Sequence, residues 1–324
     1  QHGRAQRLYS SSEHADLRQT PVPLWELIDF QHYAGMGVQF GRGCPYDCEF
    51  CNVTAMFGHR PRTKTTPQMI AELDRLHALG WRGSVFFVDD NLIGNKRLLK
   101  SELLPALIEW QHRKRRMPFN SQVSMNLADD AELMRLTAAA GFDTMFVGIE
   151  TPDEWALEAC NKKQNLGRDL VADVKRIQRA GIEVYAGFIV GFDGDTLSTF
   201  QRQIDFIQRS GIVTAMVGML QAPPGTRLHA RMAREGRLLG EMTGDNVDGT
   251  TNLSPSMGLE VLREHYRALL GNIYSPRQYY RRVRTFLREF KTPAVRQRAD
   301  IQRLLALVRS ALRLGIVGRE RFQY

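Results

Sequence analysis

Three cysteines at short spacing are the residues of this chain whose types and positions best suit chemistry. Cys44, Cys48 and Cys51 lie within residues 42–52, RGCPYDCEFCN, and have the spacing C-x-x-x-C-x-x-C. Thiolates at such spacings hold iron–sulfur clusters. A cubane cluster normally takes four protein ligands, so three would leave one iron open to another molecule, and an open metal position is where chemistry can occur. The spacing therefore predicts a [4Fe–4S] cluster with one open iron.

Two other uses of these cysteines fit the sequence less well. A structural zinc site prefers four protein ligands, and the fourth cysteine, Cys160, lies far downstream with no C-x-x-C or H-x-x-x-H partner. A disulfide within the cluster of three would leave one thiol without a partner. We therefore favour the iron–sulfur cluster over zinc and over a disulfide.

The composition is that of a globular protein in a reducing compartment. The 324 residues are 43% hydrophobic and 24% charged, and only four are cysteines. No apolar run approaches the 18 or so residues of a membrane span, and residues 1–12 are too polar for a signal peptide. We therefore expect a cytoplasmic protein.

The net charge of +9 admits nucleic acid as a partner. Much of the excess lies in residues 277–298, Arg282 among them, and no RNA-binding signature occurs there. We favour a solvated basic surface, so nucleic acid is not an expected partner.

A repeating β–α rhythm predicts the elements that position the cysteines. Apolar runs predict strands near residues 37–40, 84–88, 119–125, 144–149, 183–190 and 213–220. Helical patterns lie between them, one of them capped by Asp129. Strands separated by helices form parallel sheets, whose sites lie at the carboxyl ends of the strands, where the cysteine loop follows the first strand. We predict an α/β fold, a partial (β/α)6 barrel.

The rest of the chain divides around this barrel. Residues 1–36 are predicted as a connector, residues 37–220 as the barrel, and residues 221–324 as a helical C-terminal extension with helices near 259–273, 276–289 and 297–314. Ile301, Leu304, Leu305, Val308 and Leu312 form an apolar helix face, with arginines opposite. That face could rest on a membrane surface, but we favour packing against the core.

Polar side chains at two strand ends are candidates for binding a cofactor. Asp89 and Asp90 end the second strand and could accept hydrogen bonds from an ammonium group. Alternatively, Asp90 or Asn91 could cap a helix. Gln122, Ser124 and Asn126 alternate along the third strand and so share one face. A polar stripe inside a barrel is costly unless satisfied, which makes it a candidate lining of a cleft.

The cysteine motif resembles that of the radical S-adenosylmethionine (SAM) superfamily. The resemblance implies that SAM chelates the open iron and that the reduced cluster cleaves it to a 5′-deoxyadenosyl radical. It also implies SAM contacts from Asp89 and Asp90, from Glu150 at the end of the fourth strand, and from Gly187 and Phe188 in the fifth. Phe50, beside a ligand cysteine, would lie near the adenine.

Further segments resemble the cobalamin-associated branch of that superfamily, in particular a hopanoid C-2 methylase-like subgroup with a helical C-terminal extension. They are residues 57–62, 87–91, 148–152, 187–193, 215–218, 235–238 and 274–276. Two features depart from the pattern. The second strand lacks the usual Gly-Gly-Glu, and Gln122 stands where we expect an acidic residue.

Members of that branch usually carry an N-terminal cobalamin-binding domain. The D-x-H-x-x-G motif of such domains does not occur in this chain, although residues 20–30 resemble the connector that would follow one. Either the chain is a fragment of a longer enzyme, or it is a short homologue that works without cobalamin or with a partner subunit.

The resemblance implies a radical SAM enzyme acting on an unactivated carbon. Methylation through cobalamin or a rearrangement is expected, on an isoprenoid, lipid or other natural product, with a flavodoxin or ferredoxin as electron donor. Two alternatives stay open: a tRNA-modifying radical SAM enzyme, suggested by the basic charge, and a non-catalytic iron–sulfur protein.

Overall fold

The protein is built on a six-stranded parallel sheet. The computed structural model describes residues 13–113, 117–245, 247–292, 301–318 and 321, without the side chains of residues 301–303. The strands are β1 (Gly35–Val38), β2 (Ser84–Phe87), β3 (Phe119–Val123), β4 (Phe142–Glu150), β5 (Glu183–Val190) and β6 (Ala215–Met219). Their order in the sheet is their order in the chain. The six predicted β–α units are therefore confirmed, with β1 two residues earlier than predicted.

Helices connect successive strands. They are α1 (Val53–Phe57), α2 (Thr66–Ala78), α3 (Leu104–Arg113), α4 (Ala131–Ala139), α5 (Glu154–Ala159), α6 (Leu170–Arg179) and α7 (Leu197–Ser210). A helical turn at Lys96–Leu98 and a π-helical turn at Leu99–Leu103 lead into α3. Since each connection is long enough to cross back over the sheet, all six strands run parallel.

The predicted cap of α4 is wrong by one residue. Asp130, not Asp129, holds the extended backbone of an N-cap, and its carboxylate accepts a hydrogen bond from the Leu133 amide at 2.9 Å. Asp129 instead forms an ion pair with Arg168 at 2.5 Å. Two adjacent aspartates both suit a cap, and the backbone conformation decides between them.

One face of the sheet packs against the helices to form the core. The rings of Phe87, Phe119 and Phe142, from three adjacent strands, lie with their centroids 5.0–5.5 Å apart. Side chains alternate between the two faces of a strand. The residue next to each of these phenylalanines in its own strand therefore points to the opposite face of the sheet. That face borders the cleft described below.

The C-terminal part is helical, as predicted. It contains α8 (Arg227–Arg234), α9 (Leu259–Ile273), α10 (Pro276–Glu289) and α11 (Ile301–Ser310), followed by a π-helical segment, Ala311–Val317. Helices α9 and α10 pack against α7. The predicted residues 297–300 of the last helix lie outside the described part of the chain.

Arg282 corrects the expectation that the C-terminal arginines are solvated. Its side chain is fully buried, and its guanidinium donates to the carbonyl oxygens of Ile273 at 2.7 Å and Val213 at 3.0 Å. The rings of Tyr274 and Tyr279 lie about it. This arginine therefore joins α9 and α10 to the segment that enters β6. Residues 293–298 of the same basic stretch lie outside the described residues.

The apolar face of the last helix does not pack into the core, which corrects our preference. Large apolar side chains of α11 and the segment after it are exposed, namely Leu304, Leu305, Leu307, Val308, Leu312, Leu314, Ile316 and Val317. The side chain of Ile301 is outside the described set. In the described residues, no helix has the length and apolar character needed to cross a membrane.

Candidate functional site

The three clustered cysteines border one cleft at the carboxyl end of the sheet. Cys48 is buried, and Cys44 and Cys51 are half-buried, in the loop that leads from β1 to α1. The cleft has a volume of about 160 Å³. Residues that follow β2, end β3 and end β4 form its other walls, namely Asp90, Asn91, Gln122, Ser124, Gly148 and Glu150. The structure thus brings the cysteines together with several predicted binding residues.

The cysteine loop has a defined shape because of its first glycine. Gly43 has φ +94°, and a Cβ there would lie 3.0 Å from the carbonyl oxygens of Gly58 and Arg60. The Gly43 amide donates to the Asp90 carboxylate at 2.9 Å. Asp90 therefore holds the start of the loop while it borders the cleft, and it does not cap a helix.

Burial favours the protonated form of two of the clustered thiols. Burial raises the pKa of Cys44, and that of Cys51 to about 11, so binding a metal releases protons.

A buried ion pair borders the same cleft as the cysteines. Lys162 Nζ is 2.6 Å from Glu150 Oε1, and the two side chains are 11% and 9% exposed. Burial opposes the Lys162 charge, but the Glu150 carboxylate and Cys48 outweigh it, so the pKa of Lys162 lies above its usual value. The ammonium also lies 5.9 Å from the centroid of the Phe50 ring. The cleft therefore holds a fixed positive and a fixed negative charge side by side.

The end of β4 is shaped to present Glu150. Its φ of +66° is unusual for a residue with a side chain, and such strain, of order 1–3 kcal/mol, tends to mark functional sites. A Cβ at Gly148 would lie 2.3 Å from Glu150 Oε1. Asn165 donates to the carbonyl oxygens of Gly148 and Ile149, both at 3.1 Å. The Gly-Ile-Glu sequence therefore has a steric reason: glycine leaves the space that the glutamate occupies.

A chain of polar groups joins β3 to the cysteine loop. Asn91 Nδ2 donates to Ser124 Oγ at 3.1 Å, and Ser124 Oγ donates to Asn126 Oδ1 at 2.6 Å. Asn126 Nδ2 donates to the Tyr46 hydroxyl at 2.7 Å. Ser124 borders the cleft, whereas Asn126 lies behind it and bonds two residues that line it. Ser124 and Asn126 of the predicted polar stripe therefore have hydrogen-bond partners within the protein.

Three other predicted binding residues lie away from the cleft surface. Asp89 is buried and accepts hydrogen bonds from the amides of Phe40 at 3.0 Å and Gly41 at 2.5 Å, so it orders the chain before the cysteines. Phe188 points into the core, 5.8 Å from the ring of Phe206.

Gly187 lies under the Phe146 ring, where a Cβ would be 2.9 Å from Cζ. Phe146 itself borders the cleft. For Asp89 and the side chain of Phe188, the structure therefore indicates scaffold roles in place of the predicted contacts. Neighbouring residues face opposite sides of a strand, so the Phe188 ring lies on the face opposite to the one on which Gly187 leaves space.

Asp89 gives a testable dependence of stability on pH. Burial raises its pKa to about 7, against the opposing amide hydrogen bonds. Between pH 4 and 7 the folded state then binds this proton more tightly than the unfolded state, so stability falls as pH rises, by up to about 1.4 kcal/mol per pH unit. In the wild type, this group alone should make the free energy of unfolding about 2–3 kcal/mol smaller at pH 8 than at pH 5. We expect Asp89→Asn to lack this contribution.

Urea denaturation at the two pH values measures this effect. Asp205→Asn, at an exposed position of α7, is the control and should keep the wild-type difference. An equal pH dependence in Asp89→Asn and the wild type would show that Asp89 is ionised throughout this range.

Sequence reasoning missed Lys162, Gln164 and Tyr46 as individual site residues. Gln164 lies with its Nε2 3.7 Å from Cys48 Sγ, and all three border the cleft. The polar segment 161–165 after β4 was the available signal, but it fitted a solvated loop equally well.

Known protein families match two parts of the chain. Residues 38–207 match the Radical SAM superfamily, which is about half of the chain. Residues 226–324 match a family described as a domain of unknown function, DUF4070.

Two relatives are similar over most of this chain. An uncharacterized methyltransferase of Synechocystis sp. is 43% identical over 290 residues, which are 88% of this chain and 54% of that protein. The hopanoid C-2 methylase of Rhodopseudomonas palustris is 35% identical over 322 residues, 97% of this chain and 60% of that protein. The chain therefore spans only a little over half the length of these relatives.

Solved structures share the fold at low identity. The cobalamin-dependent S-adenosylmethionine radical enzyme OxsB, bound to aqua-cobalamin and S-adenosylmethionine, has a TM-score of 0.61 at 14% identity, over 93% of this chain and 49% of that one. The radical S-adenosylmethionine methyltransferase TsrM of Kitasatospora setae, with tryptophan and a SAM analogue, has a TM-score of 0.57 at 19% identity, over 67% and 42%.

Proposed function

The chain belongs to the radical SAM superfamily, and from this premise we propose that it is a radical SAM enzyme that methylates an unactivated carbon. One observation carries the proposal: three cysteines share a single cleft with a buried pair of opposite charges. In this proposal Cys44, Cys48 and Cys51 hold a [4Fe–4S] cluster. When bound, the cluster supplies the electron that cleaves SAM.

The ion pair of the cleft suits the amino acid end of SAM. That end carries an ammonium and a carboxylate, and the cleft offers Glu150 and Asp90 as acceptors and Lys162 as a donor. Charge-assisted hydrogen bonds of this kind are stronger than neutral ones. We propose that Lys162 binds the carboxylate of SAM and that Glu150 and Asp90 bind its polar groups. Ser124 would add a hydroxyl.

The remaining walls of the cleft are apolar and would exclude water. Phe50, Val53, Val123 and Phe146 border it beside the cysteines, and Phe50 packs against Phe192 with 6.2 Å between ring centroids. Flat apolar side chains suit a purine base. We propose that Phe50 and Phe146 lie near the adenine, with Gly187 beneath Phe146.

The methylation and its substrate rest on the relatives. The similar proteins include a hopanoid C-2 methylase and a bacteriochlorophyllide d C-12(1)-methyltransferase of Chlorobaculum tepidum. We propose an isoprenoid, lipid or related natural product as substrate, cobalamin as carrier of the methyl group from a domain or subunit outside residues 1–324, and a flavodoxin or ferredoxin as electron donor. The proposed compartment is the reducing cytoplasm.

The same proposal assigns a role to each part of the chain. Residues 37–220 would form the catalytic barrel, residues 1–36 the connector to a preceding unit, and residues 221–324 the helical extension. Within the described part of the connector, Leu17, Arg18 and Thr20 each accept a hydrogen bond from the Gln68 side chain of α2 through their carbonyl oxygens. The connector would thereby be anchored to the barrel.

Anaerobic SAM cleavage tests the proposal. The chain is reconstituted with iron and sulfide, given dithionite and SAM, and analysed for 5′-deoxyadenosine by mass spectrometry. Formation of 5′-deoxyadenosine above a cluster-free control supports the radical SAM activity. Its absence from a preparation with a full cluster would reduce the proposal to cluster binding. Transfer of a labelled methyl group to a hopanoid, with cobalamin added, then tests the substrate class.

The exposed apolar face of the last helix leads to a proposal about location. Leu304, Leu307 and Val308 are exposed on the same helix as Arg309, and a helix of this kind can lie on an anionic lipid surface. We expect the protein to pellet with anionic phospholipid vesicles at low salt, and Leu304→Asp/Val308→Asp to weaken this binding about 10-fold.

Vesicle sedimentation measures the binding. Leu287→Asp, at an exposed apolar position of α10, serves as the control and should pellet like the wild type. Wild-type protein that stays in the supernatant at low salt would rule out the membrane contact.

A further inference from the structure

The outer side of the cysteine loop is covered by α8, a helix of the part that matches the domain of unknown function. Residue 49, between the second and third cysteines, is the point of contact. The Leu228 amide donates to the Glu49 carbonyl oxygen at 3.1 Å. Arg231 donates to both carboxylate oxygens of Glu49, from Nε at 2.7 Å and from Nη2 at 3.0 Å. One helix therefore holds both the backbone and the side chain of Glu49.

A second arginine of α8 contacts the loop on the other side of Cys48. Arg227 donates to the Asp47 carbonyl oxygen at 2.5 Å, and its guanidinium lies 3.1 Å from the Asp47 carboxylate. The residues that flank Cys48 are thus both bonded to α8. Two more hydrogen bonds come from the residues that follow α5. The Asn161 side chain donates to the Asp47 carbonyl oxygen, and the Glu49 amide donates to the Cys160 carbonyl oxygen.

The guanidinium of Arg231 is itself fixed from the barrel. Its Nη1 lies 2.6 Å from Asp193, in the turn three residues beyond the end of β5. Asp193 also accepts from Arg237 at 2.6 Å and from Ser256 at 2.8 Å. Although burial opposes its charge, these donors lower the pKa of Asp193 to about 2. Arg231 therefore joins the carboxyl end of β5 to the cysteine loop.

The Arg231–Glu49 pair has the geometry of a strong contact. It is bidentate, and the two side chains are only 30% and 16% exposed. Exposed ion pairs contribute little, but a planar, bidentate, half-buried pair is better ordered and less screened by solvent. Lysine cannot reproduce two parallel hydrogen bonds.

We propose that α8 positions the cysteine loop, with Arg231 acting through Glu49 to hold the loop in its ligand-presenting shape. Arg231 does not border the cleft that the cysteines share, so it is a positioning residue. The inference depends on the proposed role of the cysteines only in the experiment that measures iron release from a cluster. The loop's order can be tested in the protein without metal.

Hydrogen exchange of the metal-free full chain is the first test. We expect the peptide that spans residues 44–52 to exchange about 10-fold faster in Arg231→Met than in the wild type, because the bidentate contact is lost. Arg231→Lys should fall between the two. Arg234→Met is the matched control, since Arg234 is an exposed arginine of the same helix with no ion pair among the described residues, and should match the wild type.

A double-mutant cycle assigns the effect to the pair. If Arg231 acts through Glu49, Glu49→Gln should speed exchange of the loop as well, and the double variant should be no faster than the faster single variant. In reconstituted protein, Arg231→Met should also release iron to a chelator about 10-fold faster than Arg234→Met.

The proposal is overturned if the loop of Arg231→Met exchanges like that of the wild type while the helices stay protected. It is also overturned if the two single effects simply add. Should Arg231→Met unfold, Arg231→Lys and Glu49→Gln decide the question. These outcomes are separate from SAM cleavage: a chain that makes no 5′-deoxyadenosine can still show the loop effect.

Discussion

Replacing Cys44, Cys48 or Cys51 singly by alanine is expected to lower 5′-deoxyadenosine formation more than about 100-fold, since even partners outside the first shell of a metal contribute 10–100-fold. Each thiol borders the same cleft, and a cluster held by three ligands has no spare one. Iron and sulfide content after anaerobic reconstitution, with the visible absorbance of the cluster, should fall in parallel.

Cys160 offers a matched control for this experiment. It is a buried thiol that does not border the cleft, and its carbonyl oxygen accepts a hydrogen bond from the Glu49 amide. Cys160→Ala keeps that oxygen, so it should retain the cluster and the activity at a stability loss of about 1 kcal/mol. If a variant of the clustered cysteines kept its cluster and its activity, or if Cys160→Ala lost both, the assignment of ligands would be wrong.

Lys162→Met is expected to weaken SAM binding about 100-fold, because removing one partner of a buried, hydrogen-bonded charge pair typically costs 2–5 kcal/mol. Methionine preserves most of the side-chain length, but it leaves Glu150 buried without a cation and removes the donor proposed for the carboxylate of SAM. Calorimetric titration of the anaerobically reconstituted protein with SAM measures the affinity.

The adjacent lysine supplies the control for this variant. Lys163 is exposed, and Lys163→Met should bind SAM as the wild type does. Denaturation in urea separates binding from folding, since breaking a buried pair can cost 3–5 kcal/mol of stability. A folded Lys162→Met with wild-type affinity for SAM would show that Lys162 serves only to neutralise Glu150.

The sheet and the cysteine cleft could be predicted because their signals are local. Short apolar runs between helices identify buried parallel strands, and all six were placed within two residues at their starts. The cysteine spacing can be recognised from the sequence alone. Because parallel strands end at one edge, residues such as Asp90 and Glu150 could be expected near the cysteines before their distances were known.

Side-chain direction within the site was less predictable. Asp89 and Asp90 are neighbours of the same type, yet one is buried under the chain at Phe40 and the other borders the cleft. Alternation along a strand says that they diverge, but it does not say which one faces the ligand. The same alternation places the Phe188 ring on the face opposite to the one that Gly187 leaves open.

Contacts between distant parts of the chain left no signal in the sequence. Arg231 and Glu49 are 182 residues apart, and each resembles an ordinary surface residue when read in its own segment. Arg282 is similar, because nothing in its arginine-rich stretch marks it as fully buried. The apolar face of the last helix was predicted to pack against the core for a related reason. An amphipathic pattern shows that a helix has an apolar face, but it does not show what that face contacts.

The separation between the cysteine loop and α8 has a consequence for biosynthesis. At 5–20 residues per second, a ribosome needs roughly 10–40 s after making Glu49 to make the arginine that holds it. During that interval three thiols leave the ribosome without Arg227 or Arg231 beside them.

We therefore expect iron and sulfide to be inserted only after α8 has left the ribosome. The C-terminal helices would then determine when the cofactor can be loaded. A nascent chain stopped before residue 227 would have complete ligands and an unfinished loop, and its thiols would be open to oxidation in the meantime.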